Sequence, residues 1–290
     1  MSTPAAAAPV TTHPPSAFGN DLQRFLTLTW VLAVTDFKLK FFGSALGYLW
    51  SLVRPLLLFG VLYVVFTKVF KVGADITYYP VYLLTSIILW TLFAETTTGC
   101  VTCLVDRENL LRKIRFPRMV IPLAVALTAL FNFSLNLVVV AIFIVVQGVE
   151  PQATWLLMPL LVIVLIVLAT GAGMLVSALY VRYRDVQPIW DVVLQVLFYA
   201  TPILYVATKL PPSVIHIAML NPLACVTSQM RHWLLDPGAP SAGELLGAEW
   251  KLIIPAAITA GVFALGLWVF RREAPRIAER LREASRKGLE

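Results

Sequence analysis

Few residues in this chain are of the types that do covalent chemistry. Cys100 and Cys103 form a C-x-x-C, but a structural zinc site wants four ligands and no partner cluster accompanies them. They read as packing residues. His13, His216 and His232 have no spacing that suits a metal or the base of a nucleophile. No G-x-x-x-x-G-K-[ST] occurs, so the chain does not hydrolyse ATP through a P-loop of its own. Nor do acids or histidines cluster at one point as a glycosyltransferase or phosphatase acting on polyprenyl phosphates would require. Glu95 is the one acid well inside an apolar run. It is either a functional group or a hydrogen-bonded packing group, since an ionisable side chain at such a position is costly. A proton-coupled transporter would show several such groups, so chemistry is expected to be delegated to another chain.

The charged segment Asp106 to Arg115 has helical features. Asp106 can cap, and Glu108 to Arg112 is a favourable i,i+4 pair, with Lys113 and Arg115 adding positive charge. Phe116 precedes Pro117, which separates this short helix from the apolar run that begins there. The segment is either a solvated basic loop or a docking element for a partner. Lys38, Lys40 and Arg54 form a second basic group, suited to a phosphate-bearing headgroup or to anchoring in lipid headgroups. Asp185 and Asp191 lie close enough in sequence to Arg182 and Arg184 to pair with them.

The scaffold that carries these groups is set by composition. Of 290 residues, 59% are hydrophobic and only 13% charged, and mean hydropathy is +0.81. Soluble domains carry about 25% charged residues, so an ordinary soluble enzyme is excluded, as is disorder. A spanning helix needs about 20 mostly apolar residues. Six runs qualify: Leu49 to Phe70, Pro80 to Leu104, Pro117 to Val146, Trp155 to Val181, Val186 to Val206 and Leu252 to Phe270. Pro202 should kink or break the fifth. Phe25 to Val34 is too short to span and suits an interfacial helix; Val214 to Val226 suits a re-entrant or interfacial hairpin. Ala169, Gly173 and Ser177 form a small-residue stripe that lets helices approach closely.

The expected fold is therefore all-α integral membrane: six transmembrane helices, an N-terminal amphipathic interface helix and a re-entrant hairpin before the last span. The expected divisions are a flexible tail (1–20), the interface helix (21–48), the transmembrane domain (49–270) and a basic tail (271–290). The start of the chain lacks the pattern of a cleaved signal peptide and is expected to remain. Net charge is +7 and the isoelectric point about 9.5. Eighteen of the 23 lysines and arginines fall on one side of the six-span frame. The positive-inside rule then makes both termini cytoplasmic and reads the charge as topological, with no nucleic-acid partner. Most aromatics sit at span ends as an interface belt; Phe198, Tyr199 and Tyr205 either belong with them or line a path along which sugars stack.

Four stretches, in order, resemble the signatures of ABC-2 type permeases that export polysaccharides. They are Leu46-Gly47-Tyr48-Leu49-Trp50-Ser51-Leu52-Val53-Arg54-Pro55-Leu56; Glu108-Asn109-Leu110-Leu111-Arg112-Lys113-Ile114-Arg115-Phe116-Pro117-Arg118; Arg182-Tyr183-Arg184-Asp185-Val186 running into Tyr199-Ala200-Thr201-Pro202-Ile203; and Asn221-Pro222-Leu223. The resemblance covers about Asp36 to Phe270; the Ala- and Pro-rich leader up to Asn20 departs from it. It implies a homodimer of this chain with two copies of a separate ABC ATPase subunit, which would hold ATP and Mg. No cofactor is expected on this chain. It further implies export of a polyprenyl-linked glycan such as O-antigen, teichoic acid or cell-wall galactan across the bacterial cytoplasmic membrane. An interface helix at about Leu22 to Phe42, a coupling helix at Asp106 to Arg115 and short re-entrant helices at Pro211 to Leu235 would accompany it. An ABC-2 exporter of a drug or simpler lipid, a polyprenyl-phosphate-dependent membrane enzyme and a structural membrane protein are the alternative readings.

Overall fold

A computed structural model describes residues 22–42, 47–71, 76–107 and 117–287. The described residues are helical and contain no strand. In chain order the helices are α1 (Leu22–Phe41), α2 (Leu49–Val64, ending in a π-helical turn Val65–Val69), α3 (Tyr79–Asp106), α4 (Val120–Val146), α5 (Met158–Arg182), α6 (Val186–Ala200), α7 (Pro212–Ala218), α8 (Pro222–Leu234), α9 (Ala242–Leu245) and α10 (Ile253–Lys287). Among the described residues, five helical segments are long and apolar enough to cross a membrane: Leu49–Val69, Tyr79–Asp106, Val120–Val146, Ala153–Arg182 and Glu249–Glu273.

The expected fifth span differs in form. Its helix, α6, has 15 residues and stops at Ala200. That is about 22 Å of helix, short of the roughly 30 Å of hydrocarbon. The cause is local: Thr201 has an extended backbone and precedes Pro202, whose ring excludes helical geometry at the residue before it. The carbonyls this frees must find donors. Tyr79 and Tyr82 of α3 supply them. The Tyr79 hydroxyl donates to the Leu204 carbonyl at 2.9 Å, and the single proton of the Tyr82 hydroxyl is shared between the Pro202 carbonyl and that of Tyr205, the latter at 3.0 Å.

The core is built on α3 and α5. The small-residue stripe of α5 sits against α3: Ala169 is fully buried, a Cβ at Gly173 would lie 2.8 Å from the Cys100 sulfur, and Ser177 Oγ lies 3.5 Å from Cys103 Sγ. On its other side α5 crosses α10 through glycine. A Cβ on Gly171 would lie 2.5 Å from the Phe263 Cα, and one on Gly266 would collide with the Gly171 carbonyl. The two backbones meet there with no room for a side chain.

α1 packs along α4. Ala33 is fully buried, Thr128 Oγ1 donates to its carbonyl at 3.2 Å, and Phe131 takes Trp30 and Phe37 edge-on. At the end of the bundle remote from Arg107 and Arg182, α7, α8 and α9 form a cap. Asn221 caps α8 by accepting from the Leu223 N–H, and its amide donates to Thr201 Oγ1 at 3.1 Å. The Thr201-Pro202 and Asn221-Pro222 motifs, separate in sequence, are thus one structural unit. The Trp155 indole donates to the Leu234 carbonyl and the Thr154 hydroxyl to that of Trp233, stapling the cap to the entry of α5. The last helix runs beyond the expected end at Phe270 to Lys287, so the final span and much of the basic tail share one helix.

Candidate coupling and translocation site

Of the candidate coupling residues, the structure describes Asp106, at the basic end of the bundle. Asp106 is the last residue of α3, and its carboxylate accepts from the Thr102 hydroxyl at 2.6 Å, one turn back. Its neighbour Arg107 forms an ion pair with Asp36 of α1. Glu108, Arg112, Lys113 and Arg115 lie outside the described residues. Arg118, just before α4, is half-buried, and desolvation pulls its guanidinium below the usual arginine range.

Lys38, Lys40 and Arg54 are all exposed. Lys40 Nζ stands 3.4 Å from both oxygens of Glu95. Glu95 also accepts from the Asn132 side-chain amide of α4 at 2.8 Å. Asn136, one turn further along α4, donates to the carbonyls of Asn132 (2.9 Å) and Ser51 (3.2 Å), tying the first turn of α2 to α4. Glu95 is therefore the centre of a polar knot joining α1, α3 and α4. Sequence reasoning singled out Glu95 but missed Asn132 and Asn136. The available signal was two amides four residues apart in an otherwise apolar helix.

Arg182 and Arg184 are not paired with Asp185 or Asp191. Their guanidinium groups lie over tyrosine rings instead, Arg182 over Tyr183 at 5.2 Å and Arg184 over Tyr180 at 4.8 Å. The aspartates are exposed, and α6 starts between them, which carries Asp191 away from the arginines.

Phe198, Tyr199 and Tyr205 are brought together. Phe198 packs edge-on against Tyr199 (5.4 Å) and against Trp90 of α3 (5.5 Å). The Tyr205 hydroxyl donates to the Tyr199 carbonyl at 3.2 Å. Tyr199 itself is 61% exposed. It ends a run that sequence reasoning overlooked: Gln187, Asp191, Gln195 and Tyr199 recur at four-residue intervals on α6, and all are exposed. Four residues is close to one helical turn, so they form one polar stripe. Ile189, Val192 and Val196 occupy the other exposed side. Amides and a carboxylate are costly against lipid tails, so the stripe suits water, a polar cargo or another protein surface.

Among the described residues no three of His, Cys, Asp and Glu are grouped to hold a metal. Several span-length apolar helices, and a shorter apolar helix that carries a polar stripe, define a multi-pass helical membrane protein. Within that class the chain belongs to the ABC-2 type transporter family, whose model matches residues 27–235. It is 31% identical over 207 residues to an O-antigen export system permease protein RfbA of Klebsiella pneumoniae, covering 71% of this chain and 79% of that one. A second RfbA permease of the same species is 29% identical over 251 residues, covering 86% and 93%. The RfbA permease of Myxococcus xanthus is 28% identical over 245 residues, covering 84% and 94%.

Proposed function

We propose that this chain is the permease subunit of an ATP-driven ABC exporter that moves a lipid-linked polysaccharide across the bacterial inner membrane. The observation that carries this reading is kinship, along most of the chain, with permeases named for O-antigen export. In this reading two copies of the chain assemble with two copies of a separate ATPase, which holds ATP and Mg.

The finer assignments rest on the same reading. The basic end faces the cytoplasm, with both termini on that side, because a cation excess marks the inner face. α6 together with residues 201–206 completes a sixth crossing: irregular backbone at membrane depth is tolerated where protein satisfies it, and Tyr79 and Tyr82 do so. α7 and α8 are re-entrant from the outer face. The polar stripe of α6, with Phe198, Tyr199 and Tyr205, faces the path between the two copies. There its amides and ring faces meet sugar hydroxyls and the apolar faces of sugar rings. Lys38, Lys40 and Arg54 attract the pyrophosphate of a polyprenyl-linked glycan at the cytoplasmic surface. ATP-driven closure of the partner subunits acts on Asp106, Glu108, Arg112, Lys113 and Arg115.

Two measurements test the reading. Gentle purification is expected to bring a P-loop ATPase with the chain, and depletion is expected to accumulate lipid-linked glycan inside the cell. A chain that purifies without any ATPase, in cells whose lipid-linked glycans stay at normal levels when it is depleted, would refute it. Charge reversal at Glu108 and Arg112 should leave the complex assembled and hydrolysing ATP while export falls. Normal export from both variants removes the docking role of the loop.

A further inference from the structure

The two ion pairs of α1 are placed so that each does what the other cannot. Asp36 and Lys40 are one helical turn apart on α1, separated by about 6 Å of rise. Their partners on α3, Arg107 and Glu95, are twelve residues apart, about 18 Å. The ties leave α1 close together and diverge along α3. Sliding α1 along α3 in either direction must therefore stretch one of them.

The packing around these ties gives them a role. The helix that α1 lies against is α4, through Ala33, Trp30 and Phe37. Its ties to α3 in the ion pairs are made by long charged side chains. Arg107 is the last described residue before the 108–116 segment, and α4 begins just after that segment. Asp36 therefore grips α3 at the root of the charged connection. Lys40 grips Glu95, which the Asn132 amide anchors to α4. Partly exposed ion pairs of this kind add little to folding stability. Their value lies in fixing the position of one helix on another.

We infer that Asp36 and Glu95 are positioning residues for transport, making α1 the link through which displacement of the 108–116 connection reaches the bundle. Movement at Arg107 is passed to α1 at Asp36 and returns to the bundle one turn later at Lys40, Glu95 and Asn132. The inference rests on the reading of the connection as the ATPase docking element. It adds that the signal leaves by an ionic tie to α1 as well as along the backbones of α3 and α4.

The test uses the complex with its ATPase. ATP hydrolysis is measured on the purified complex in nanodiscs. Transport is measured as surface polysaccharide, stained after electrophoresis, in cells lacking the native permease and complemented with each variant. Asp36→Arg is expected to retain ATPase association and hydrolysis while surface polysaccharide falls about fivefold or more, and Arg107→Asp, which lies within the docking segment, is expected to lower polysaccharide at least as far. The exchange D36R/R107D restores the pair with reversed polarity and is expected to return polysaccharide to within about twofold of the native level. Asp36→Asn and Glu95→Gln, which keep shape and remove charge, should show the same uncoupling more mildly. Native polysaccharide levels in the single variants, or an exchange variant no better than the singles, overturn the inference. The Glu108 and Arg112 reversals separate the two readings: if these uncouple transport while the Asp36 and Arg107 variants do not, only the link fails; if these too transport normally, the docking reading itself is lost.

Discussion

In their most apolar stretches α3 and α5 are 61% buried, whereas α2 is 11% buried and the stretch leading into α10 is 17% buried. Hydropathy does not explain the difference, because α3 is the least apolar of the five candidate spans and α5 the most. Side-chain size and polarity do. α3 presents Thr96, Thr97, Cys100 and Cys103 and α5 presents Ala169, Gly173 and Ser177. These small and weakly polar groups let backbones approach and satisfy hydroxyls on nearby carbonyls, as Thr96 and Thr97 do on Leu92 and Phe93. The outer side of α2 presents Leu57, Leu58, Val61 and Val64, which suit lipid tails as well as they suit protein. In a membrane the core is chosen by fit, since lipid already satisfies the hydrophobic requirement.

The sharpest way to break this contrast is to place one bulky residue in both kinds of helix. Gly171→Leu or Gly266→Leu forces α5 and α10 apart and is expected to cost about 3 kcal/mol or more, with loss of monodisperse protein in detergent. Gly60→Leu on α2 and Gly261→Leu on α10 enter open space and should shift thermal stability by less than about 1 kcal/mol. Equal losses at all four sites would show that the bare faces are filled by another surface.

A smaller effect tests whether α3 holds α6 by hydrogen bonds. Tyr82→Phe removes the donor to the Pro202 and Tyr205 carbonyls and should cost about 1–3 kcal/mol in thermal or denaturant unfolding. Tyr79→Phe, which removes a single bond, should cost about 1 kcal/mol. The smallest effect is expected on the exposed stripe. Gln195→Leu and Asp191→Leu should change stability by less than about 0.5 kcal/mol. If the stripe meets cargo, surface polysaccharide falls in these variants while folding is unchanged, and unaltered polysaccharide would assign the stripe to some other contact.

Much of this architecture was legible in the residues. Run length located the five long apolar helices to within a few positions except at the end of α10, which continues from Phe270 to Lys287, and Pro202 announced the break after α6. The small-residue stripe of α5 was legible because its period is helical. The crossing at Gly171 and Gly266 was not, because nothing in sequence pairs two glycines 95 residues apart. The same holds for the tie between Lys40 and Glu95, 55 residues apart, and for Tyr82 reaching Pro202 across 120. Local charge spacing also misled: the arginines before α6 have carboxylates nearby in sequence but tyrosine rings nearer in space. Sequence proximity reports which partners are available, and the direction of each helix decides which are reached.

The segment Leu49–Val69 has 21 residues, about 31 Å of helix, whereas α3 has 28 and α4 has 27, about 40 Å each. A hydrocarbon layer of about 30 Å therefore matches α2 with nothing to spare and leaves α3 and α4 overhanging. Thickening the bilayer by a few ångströms would be absorbed by the long helices and would strain α2 first, the helix least held by protein. The lipid composition of the host membrane should thus act on this molecule chiefly through α2, by drawing its ends inward or changing its tilt.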